Sequence, residues 1–144
     1  MIKVKIKKIK SNAIVPSYVH DGDSGVDLYS TEDYELKPGD RALVSTGLQI
    51  AMPHGFEAQV RPKSGLALQH GISIVNTPGT VDSNYRGEIG VIVINLGQQN
   101  YKIEKGKKIA QMVFTKVEQV QFEVVNELDE TKRGMGGFGS TGLH

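Results

Sequence analysis

Apolar and polar residues alternate at the start of the chain. Ile2, Val4 and Ile6 are separated by a lysine at each intervening position. Successive side chains of a β-strand point to opposite faces, so this pattern predicts a strand with one solvated, cationic face. The lysines are typical of strand edges that are protected from pairing with other chains.

Short apolar runs bounded by glycine or proline continue along the body of the chain. The pieces between these breaks are mostly about six to twelve residues long, a spacing typical of many short strands joined by turns. Strands are predicted at residues 41–46, 56–61, 72–75 and 89–95. The last of these is almost continuously apolar, so we expect both of its faces to be buried.

Two segments carry helical features. Residues 64–70 begin with Ser64, a suitable N-cap, and continue with good helix formers, which predicts a helix of one or two turns. Residues 107–133 lack glycine and proline, and their apolar spacing would allow a long helix. Their many β-branched residues and the alternation of Phe122 with Val124 favour strands, which we predict there. The predicted fold is therefore all-β, a barrel or sandwich with one short helix.

Composition narrows the class of protein further. The 144 residues suit a single domain, and the absence of cysteine excludes disulfides and cysteine-ligated metals. No apolar run approaches the ~20 residues of a membrane span, and a net charge of +1 argues against direct nucleic-acid binding. Because the lysine-rich start alternates instead of leading into an apolar run, we expect a soluble, cytoplasmic protein.

Glycine is the unusual component. Five of the 17 glycines fall within residues 133–144, a segment that also contains Arg133, Phe138, Ser140 and Thr141. Glycine-rich backbone can turn its N–H groups toward an anion, arginine suits phosphate oxygens, and an isolated phenyl ring can stack on a nucleobase. The alternative is an unstructured terminus.

Three other segments contain candidate chemistry. The turn at residues 79–90 carries Asp82, which could polarise a water molecule, and Tyr85, which could form a flat wall for a sugar. Lys63 and Ser64 precede the first N–H groups of the predicted helix, an arrangement that favours an anion. Asp27 could join the water shell of a magnesium ion. Each segment taken alone is more typical of an ordinary surface turn.

Taken together, five segments give a more specific result. SGVDL, PKSGLA, GTVDSNYRGE, GKKIAQ and RGMGGFGSTG occur in this order between residues 24 and 142. They resemble the five motifs of the trimeric deoxyuridine triphosphatases (dUTPases). The resemblance implies a jelly-roll domain over residues 1–132, followed by a flexible arm over residues 133–144 that completes an active site. It also implies a homotrimer with active sites shared between subunits, and Mg2+ as the cofactor.

The implied reaction is hydrolysis of dUTP to dUMP and pyrophosphate by attack of water on the α-phosphorus, which limits uracil in DNA and supplies dUMP for dTMP synthesis. By position, Asp82 resembles the general base and Tyr85 the residue packed against deoxyribose. Asn76 and the backbone near Ile89 and Gly90 resemble the hairpin that reads uracil.

The remaining implied contacts concern phosphate, metal and the arm. Asp27 resembles the carboxylate that reaches the metal through water, Arg133 the clamp on the γ-phosphate, and Phe138 the ring that stacks on uracil. The other substrate contacts implied by position are Lys63, Ser64, Gly65, Gln111, Gly139, Ser140 and Thr141. Lys63 departs from the family pattern, because arginine usually stands there and a lysine cannot form its two-pronged hydrogen bond.

Two alternatives stay open from the sequence. The chain could be a dCTP deaminase of the same structural superfamily, although the Asp82 and Tyr85 pair and the glycine-rich arm resemble the hydrolase. It could also be an inactive relative that binds a nucleotide or a protein partner, but a pure binder would not need Asp82.

Overall fold

Eleven short strands and one helix form the fold in the computed structural model, which describes all residues 1–144. The elements are β1 (Lys5–Lys8), β2 (Val26–Tyr29), β3 (Tyr34–Leu36), β4 (Arg41–Ser45), β5 (Leu48–Ala51), β6 (Phe56–Arg61), α1 (Ser64–His70), β7 (Ile72–Ile74), β8 (Gly79–Val81), β9 (Gly90–Asn95), β10 (Tyr101–Ile103) and β11 (Lys108–Lys116).

The strands form four antiparallel sheets around one core. The largest sheet has the order β2-β11-β6-β8, and the second has the order β4-β9-β7. Two-stranded sheets, β1 with β5 and β3 with β10, complete the fold. The core contains Leu28 from the first sheet, Val44 and Val93 from the second, and Met112 from the centre of β11. The predicted all-β class with one short helix is confirmed.

The helix forms over the predicted residues, but its first turn differs from the prediction. Ser64 is the first helical residue, and Lys63 occupies the N-cap position in an extended conformation without a side-chain cap. The prediction of Ser64 as N-cap was therefore wrong by one residue. The helix ends at Gly71, which takes a left-handed conformation (φ 67°) that glycine adopts without a steric penalty.

Strand β9 is buried on one face only, so the prediction of burial on both faces was wrong. Val91 and Val93 point into the core, whereas Ile92 and Ile94 on the other face are half-buried. The reason is that no part of this chain covers the outer face of the β4-β9-β7 sheet. Leu43, opposite Ile92 on β4, is 67% exposed on that same face.

The predicted strand region at residues 107–133 forms only in its first part. Strand β11 ends at Lys116, and residues 118–130 form no backbone hydrogen bond. Phe122 and Val124 are about as exposed as in an extended chain, at 90% and 97%. A strand needs a neighbouring edge to pair with, and the segment pairs with no strand edge of its own chain.

Strand β1 forms in the predicted region and pairs with β5 along one edge only. Ile2, Val4 and Ile6 line an apolar cavity of about 380 Å³ whose opposite wall includes Tyr18 and Phe114. The lysines of β1 are solvent-exposed, as predicted. No helix of the chain has the length and apolar character needed to cross a membrane.

Candidate active site

Three polar side chains stand in one row across the outer face of the largest sheet. Asp27 on β2 is paired with Gln111 on β11, and Gln111 is paired with Arg61 on β6. The flanking residues Leu28, Met112 and Val60 point into the core. Alternation along each strand therefore puts Asp27, Gln111 and Arg61 on the surface together.

Asp27 is held by two lysines. Lys63 donates to its Oδ1, and Lys108 Nζ lies 2.8 Å from its Oδ2. The Asp27 side chain is only 12% exposed. Partial burial would raise the pKa of Asp27, but the hydrogen bonds and charges of Lys108 and Lys63 outweigh it and lower that pKa below its usual value. Asp27 in turn raises the pKa of Lys108.

A β-bulge brings Lys108 to this face. Between β2 and β11 the pairing runs from Tyr29 with Lys108 to Leu28 with Ala110, so Ile109 is an extra residue. Lys108 and Gln111 are three residues apart, so in a regular strand their side chains would point to opposite faces. The extra residue of the bulge turns Lys108 to the same face as Gln111. Lys108 and Gln111 therefore both face outward, while Ile109 and Ala110 are buried.

Gln111 connects this cluster to the loop before the helix. Its Nε2 donates to the Pro62 carbonyl oxygen at 3.0 Å, next to Lys63. The backbone of Gly25 lies so close that a Cβ there would be 2.9 Å from Gln111 Oε1. We call the group of Asp27, Arg61, Lys63, Lys108 and Gln111 the cationic end of the sheet. Ser64 and Gly65 follow Lys63 directly, so the fold brings the predicted phosphate residues together.

Asp82 lies at the other end of the same sheet. It follows Val81, the last residue of β8, and borders a cavity of about 320 Å³ together with Glu57 and His54. The Asp82 side chain is exposed and forms no ion pair. The Asp82 carboxylate is therefore accessible to a water molecule.

Tyr85 is oriented by the turn that contains Asp82. The Tyr85 N–H donates to the Asp82 carbonyl oxygen at 3.1 Å, and the Tyr85 hydroxyl donates to the Glu88 carbonyl oxygen at 3.0 Å. The ring covers Gly87, where a Cβ would lie 2.2 Å from the hydroxyl oxygen. The absence of a side chain at Gly87 leaves room for the ring in this position.

A second cavity, of about 420 Å³, places Tyr85 and Gly90 on one surface, with Thr80, Leu43 and Ile92 as neighbours. Asn76 is exposed in the connection that leads to β8, and its amide lies against Gly79.

Ile89 is only 2% exposed, in contrast to Gly90 beside it. The Ile89 N–H donates to the Leu48 carbonyl oxygen at 2.8 Å, and the Ile89 carbonyl oxygen accepts from the Thr46 hydroxyl at 2.6 Å. Of the predicted base-reading pair, Gly90 therefore lies on the cavity surface, whereas the polar backbone groups of Ile89 serve the fold.

The arm at residues 133–144 contacts neither end of the sheet. Arg133 Nε donates to the Gly136 carbonyl oxygen at 2.9 Å, and the Phe138 side chain is fully exposed. Ser140, Thr141 and Gly139 lie in consecutive turns. Within one chain, the predicted arm residues are thus separate from the other predicted site residues.

The two ends of the sheet are too far apart to act on one atom. Asp82 lies about 13 Å along the strands from the row of Arg61, and β8 is three strand spacings, about 14 Å, from Asp27 on β2. The two backbones are therefore about 20 Å apart. Catalytic contacts require hydrogen-bond distances, so one chain cannot direct both carboxylates at a single phosphorus.

Several residues of these ends were not predicted from the sequence. Lys108 was missed because regular alternation turns it away from Gln111, and only the bulge reverses this. Its signal was the doubled apolar pair Ile109 and Ala110, which breaks the alternation. His54 was also not predicted, and it borders the cavity of Asp82.

The protein is an all-β protein with antiparallel sheets around a single core. Its cationic cluster and the separate cavity walled by Tyr85 suit a phosphorylated nucleoside. The dUTPase family model matches residues 11–142. The chain belongs to the dUTPase family, and its fold is the jelly roll of that family.

Individual relatives agree with this assignment. The deoxyuridine 5'-triphosphate nucleotidohydrolase of Clostridium tetani is 55% identical over 139 residues, which cover 96% of each chain. The dUTPase of Staphylococcus bacteriophage 80alpha, solved with dUpNHpp, matches with a TM-score of 0.92 and 25% identity over 98% of this chain and 99% of that chain. The dUTPase of phage phi11 of S. aureus, described with a structural Mg(II) ion, has a TM-score of 0.82 and 22% identity over 87% of this chain and 97% of that one.

Proposed function

We propose that this chain hydrolyses dUTP to dUMP and pyrophosphate, which limits uracil in DNA and supplies dUMP for dTMP synthesis. Membership of the dUTPase family supports the substrate and the reaction. The observation that carries the proposal is the pair of complementary ends on one sheet. Two lysines at Asp27, with Arg61 in the same row, suit a triphosphate, and an unpaired carboxylate next to an aromatic cavity suits a water molecule and a nucleoside.

In the proposed reaction, the oxygen of a water molecule bonds to the α-phosphorus while the bond from that phosphorus to the bridging oxygen breaks. Pyrophosphate leaves with the electron pair of that bond, and Asp82 takes the proton of the water. Lys63, Ser64, Gly65 and Gln111 hold the phosphates at the cationic end. Phosphoryl transfer depends mainly on positioning and on neutralising charge, so a covalent intermediate is not needed.

The proposed specificity arises in the cavity of Tyr85. The ring packs against deoxyribose and leaves no room for a 2′-hydroxyl, and the Gly90 backbone with Asn76 reads the uracil edge. The exocyclic amine of cytosine would leave these donors and acceptors mispaired, which usually gives a large discrimination. Ile89 supports Gly90 from the core through its bonds to Leu48 and Thr46.

We propose that the active protein is a homotrimer with each active site shared between subunits. The separation of about 20 Å between Asp82 and Asp27 in one chain supports this, because a second copy must bring its Asp82 to the cationic end of the first. The half-exposed apolar face of Leu43, Ile92 and Ile94 supports a contact between copies.

The segment after β11 offers a second contact between copies. Residues 118–130 carry five acidic residues and no basic one, whereas β1 and its flanks carry five lysines. Val120, Phe122 and Val124 alternate as in a strand, and the open edge of β1 borders the apolar cavity of Ile2 and Ile6. Charge and apolar pattern thus match this segment of one copy to β1 of another.

The arm at residues 133–144 is proposed to close over bound substrate. The 16 residues from 117 to 132 can span about 50 Å when extended, so the arm can reach a distant site on another copy. There Phe138 stacks on uracil, Arg133 clamps the γ-phosphate, and Gly139, Ser140 and Thr141 donate to phosphate oxygens. Closure excludes water other than the attacking molecule.

Magnesium is the proposed cofactor. No group of three or more acidic or histidine side chains within one chain converges as a metal site. Asp27 fits an outer contact, because Mg2+ keeps several waters and is bound by few carboxylates plus substrate phosphates. Its two oxygens keep lone pairs free to accept from water beside the two lysines. When bound, the ion would neutralise phosphate charge.

The test is to supply dUTP, dCTP, dTTP and UTP with magnesium and to quantify monophosphate and ammonia. We expect dUMP and pyrophosphate from dUTP, with far slower reaction of the other three. Ammonia from dCTP would indicate a deaminase, and binding of dUTP without dUMP would indicate an inactive relative. Cell fractionation tests the cytoplasmic location, which we propose because the substrate belongs to the DNA precursor pool.

A further inference from the structure

The cationic end contains two lysines that share a single carboxylate. Lys63 approaches Asp27 from the loop before α1, and Lys108 approaches it from β11. The Lys63 side chain is 28% exposed and that of Lys108 is 47% exposed, so both ammonium groups also face solvent. With Arg61 in the same row, the cluster keeps positive charge in excess and attracts an anion.

The two lysines are held differently. The backbone of Lys108 is fixed by the pairing of β2 with β11 and by the extra residue Ile109. Lys63 extends from an uncapped N-cap position in a loop, so its four-carbon side chain can turn away without disturbing the sheet.

We propose that Asp27 binds Lys63 in the free protein and releases it to the phosphates of the substrate. Lys108 is the positioning residue that allows this release, because it stays paired with Asp27. The inference rests on the proposed function, because it names how that site takes up a triphosphate. The two ammonium groups repel each other and compete for one carboxylate, so each ion pair is weaker than it would be alone. When Lys63 moves to a phosphate, Asp27 keeps Lys108 as its partner.

Without Lys108, the release of Lys63 would be costly. Asp27 is mostly sheltered, and a sheltered carboxylate that loses its only partner carries a large desolvation penalty. The triphosphate would then have to compete with Asp27 for Lys63. The same argument explains why a lysine suits position 63, since an arginine could hold both carboxylate oxygens at once and would be harder to release.

Calorimetric binding of dUpNHpp and of dUMP, both with magnesium, tests this inference. We expect Lys108→Gln to weaken dUpNHpp binding by about tenfold, because the triphosphate must take Lys63 from Asp27. Binding of dUMP, which has no β- or γ-phosphate, should stay within about twofold. Lys108→Arg should restore affinity for dUpNHpp. Lys107→Gln is the matched control, since it removes a neighbouring charge that forms no ion pair.

A second background separates positioning from direct contact. In Asp27→Asn, where Lys63 is already free, Lys108→Gln should cost no more affinity than Lys107→Gln. An equal loss in both backgrounds would mean that Lys108 contacts the phosphates itself, and the inference would be wrong. It would also be wrong if Lys108→Gln had no effect in either background.

Failure of the proposed function gives a different result. If the unmodified protein bound no dUpNHpp, the proposed function would be refuted and the inference with it. Normal binding by the unmodified protein together with an unaffected Lys108→Gln variant refutes the inference alone. Melting curves verify that each variant is folded, and Lys108→Met replaces Lys108→Gln if that variant is unstable.

Discussion

The two ends of the β2-β11-β6-β8 sheet use the same side chain in opposite ways. At the cationic end, Asp27 is sheltered and paired with two lysines, which lower its pKa. At the other end, Asp82 is exposed and forms no ion pair. In the proposed function, the carboxylate already paired with cations serves binding and the unpaired one serves proton transfer. Their separation of about 20 Å supports the proposal that the two roles meet between copies of the chain.

The largest expected effect is at Asp82. Asp82→Asn keeps the shape of the side chain and removes its ability to take a proton, so turnover of dUTP should fall by about a thousandfold. Binding of dUpNHpp should be retained, because the phosphate contacts lie elsewhere. Single-turnover rates and calorimetry measure the two quantities separately. Near-normal turnover would rule out Asp82 as the base.

Removal of residues 133–144 tests whether the two ends suffice without the arm. The truncated protein should keep its oligomeric state, since the contacts that we propose between copies lie before residue 133. Turnover should fall by about a hundredfold, because water enters the site and the arm donors are lost. Sedimentation and steady-state rates measure these outcomes. Normal rates in the truncated protein would contradict the proposed closure.

Mixed oligomers test directly whether the two ends act across copies. Asp82→Asn and Asp27→Asn chains should each be nearly inactive alone. In an equal, random mixture, about a quarter of shared sites receive an intact residue from each of two copies. Activity should therefore recover to about a quarter of the unmodified level. If the mixture stays as inactive as its components, both residues act within one chain.

The smallest expected effect concerns acid stability. The pKa of Asp27 is lower in the folded chain than in the unfolded one, so its pairing stabilises the fold above the unfolded value and this contribution is lost as the pH falls. Between about pH 5 and pH 2, the unmodified protein should lose more stability than Asp27→Asn. Asp82→Asn is the matched control, because that carboxylate forms no ion pair. Identical acid profiles for the unmodified protein and Asp27→Asn would contradict the pairing of Asp27 with its lysines.

Local pattern predicted much of the fold. The strands near residues 41–46, 56–61 and 72–75 and the helix at 64–70 are encoded by alternation, helix formers and flanking breakers, which act over a few residues. Strands β2, β3, β5, β8 and β10, with three or four residues each, were not predicted, because such short segments carry little alternation. The burial of β9 and the strand after Lys116 were predicted wrongly for this chain, because burial and pairing depend on what lies opposite.

Part of the candidate site was predictable from the sequence and part was not. Asp27, Lys63, Ser64 and Gln111 were predicted from short motifs, and the fold brings them together. Lys108 could not be predicted, because its direction depends on one extra residue in the register of β11 against β2.

By itself, the sequence determined that the chain is rich in short strands, has one helix and carries five dUTPase motifs, because these properties reside in neighbouring residues. Only the tertiary structure decided which motifs share a surface. Strand register places Asp27 beside Lys108, the loop before α1 adds Lys63, and strand order leaves Asp82 about 20 Å away. Motif order along a chain carries no distances, whereas hydrogen-bonded strands fix them.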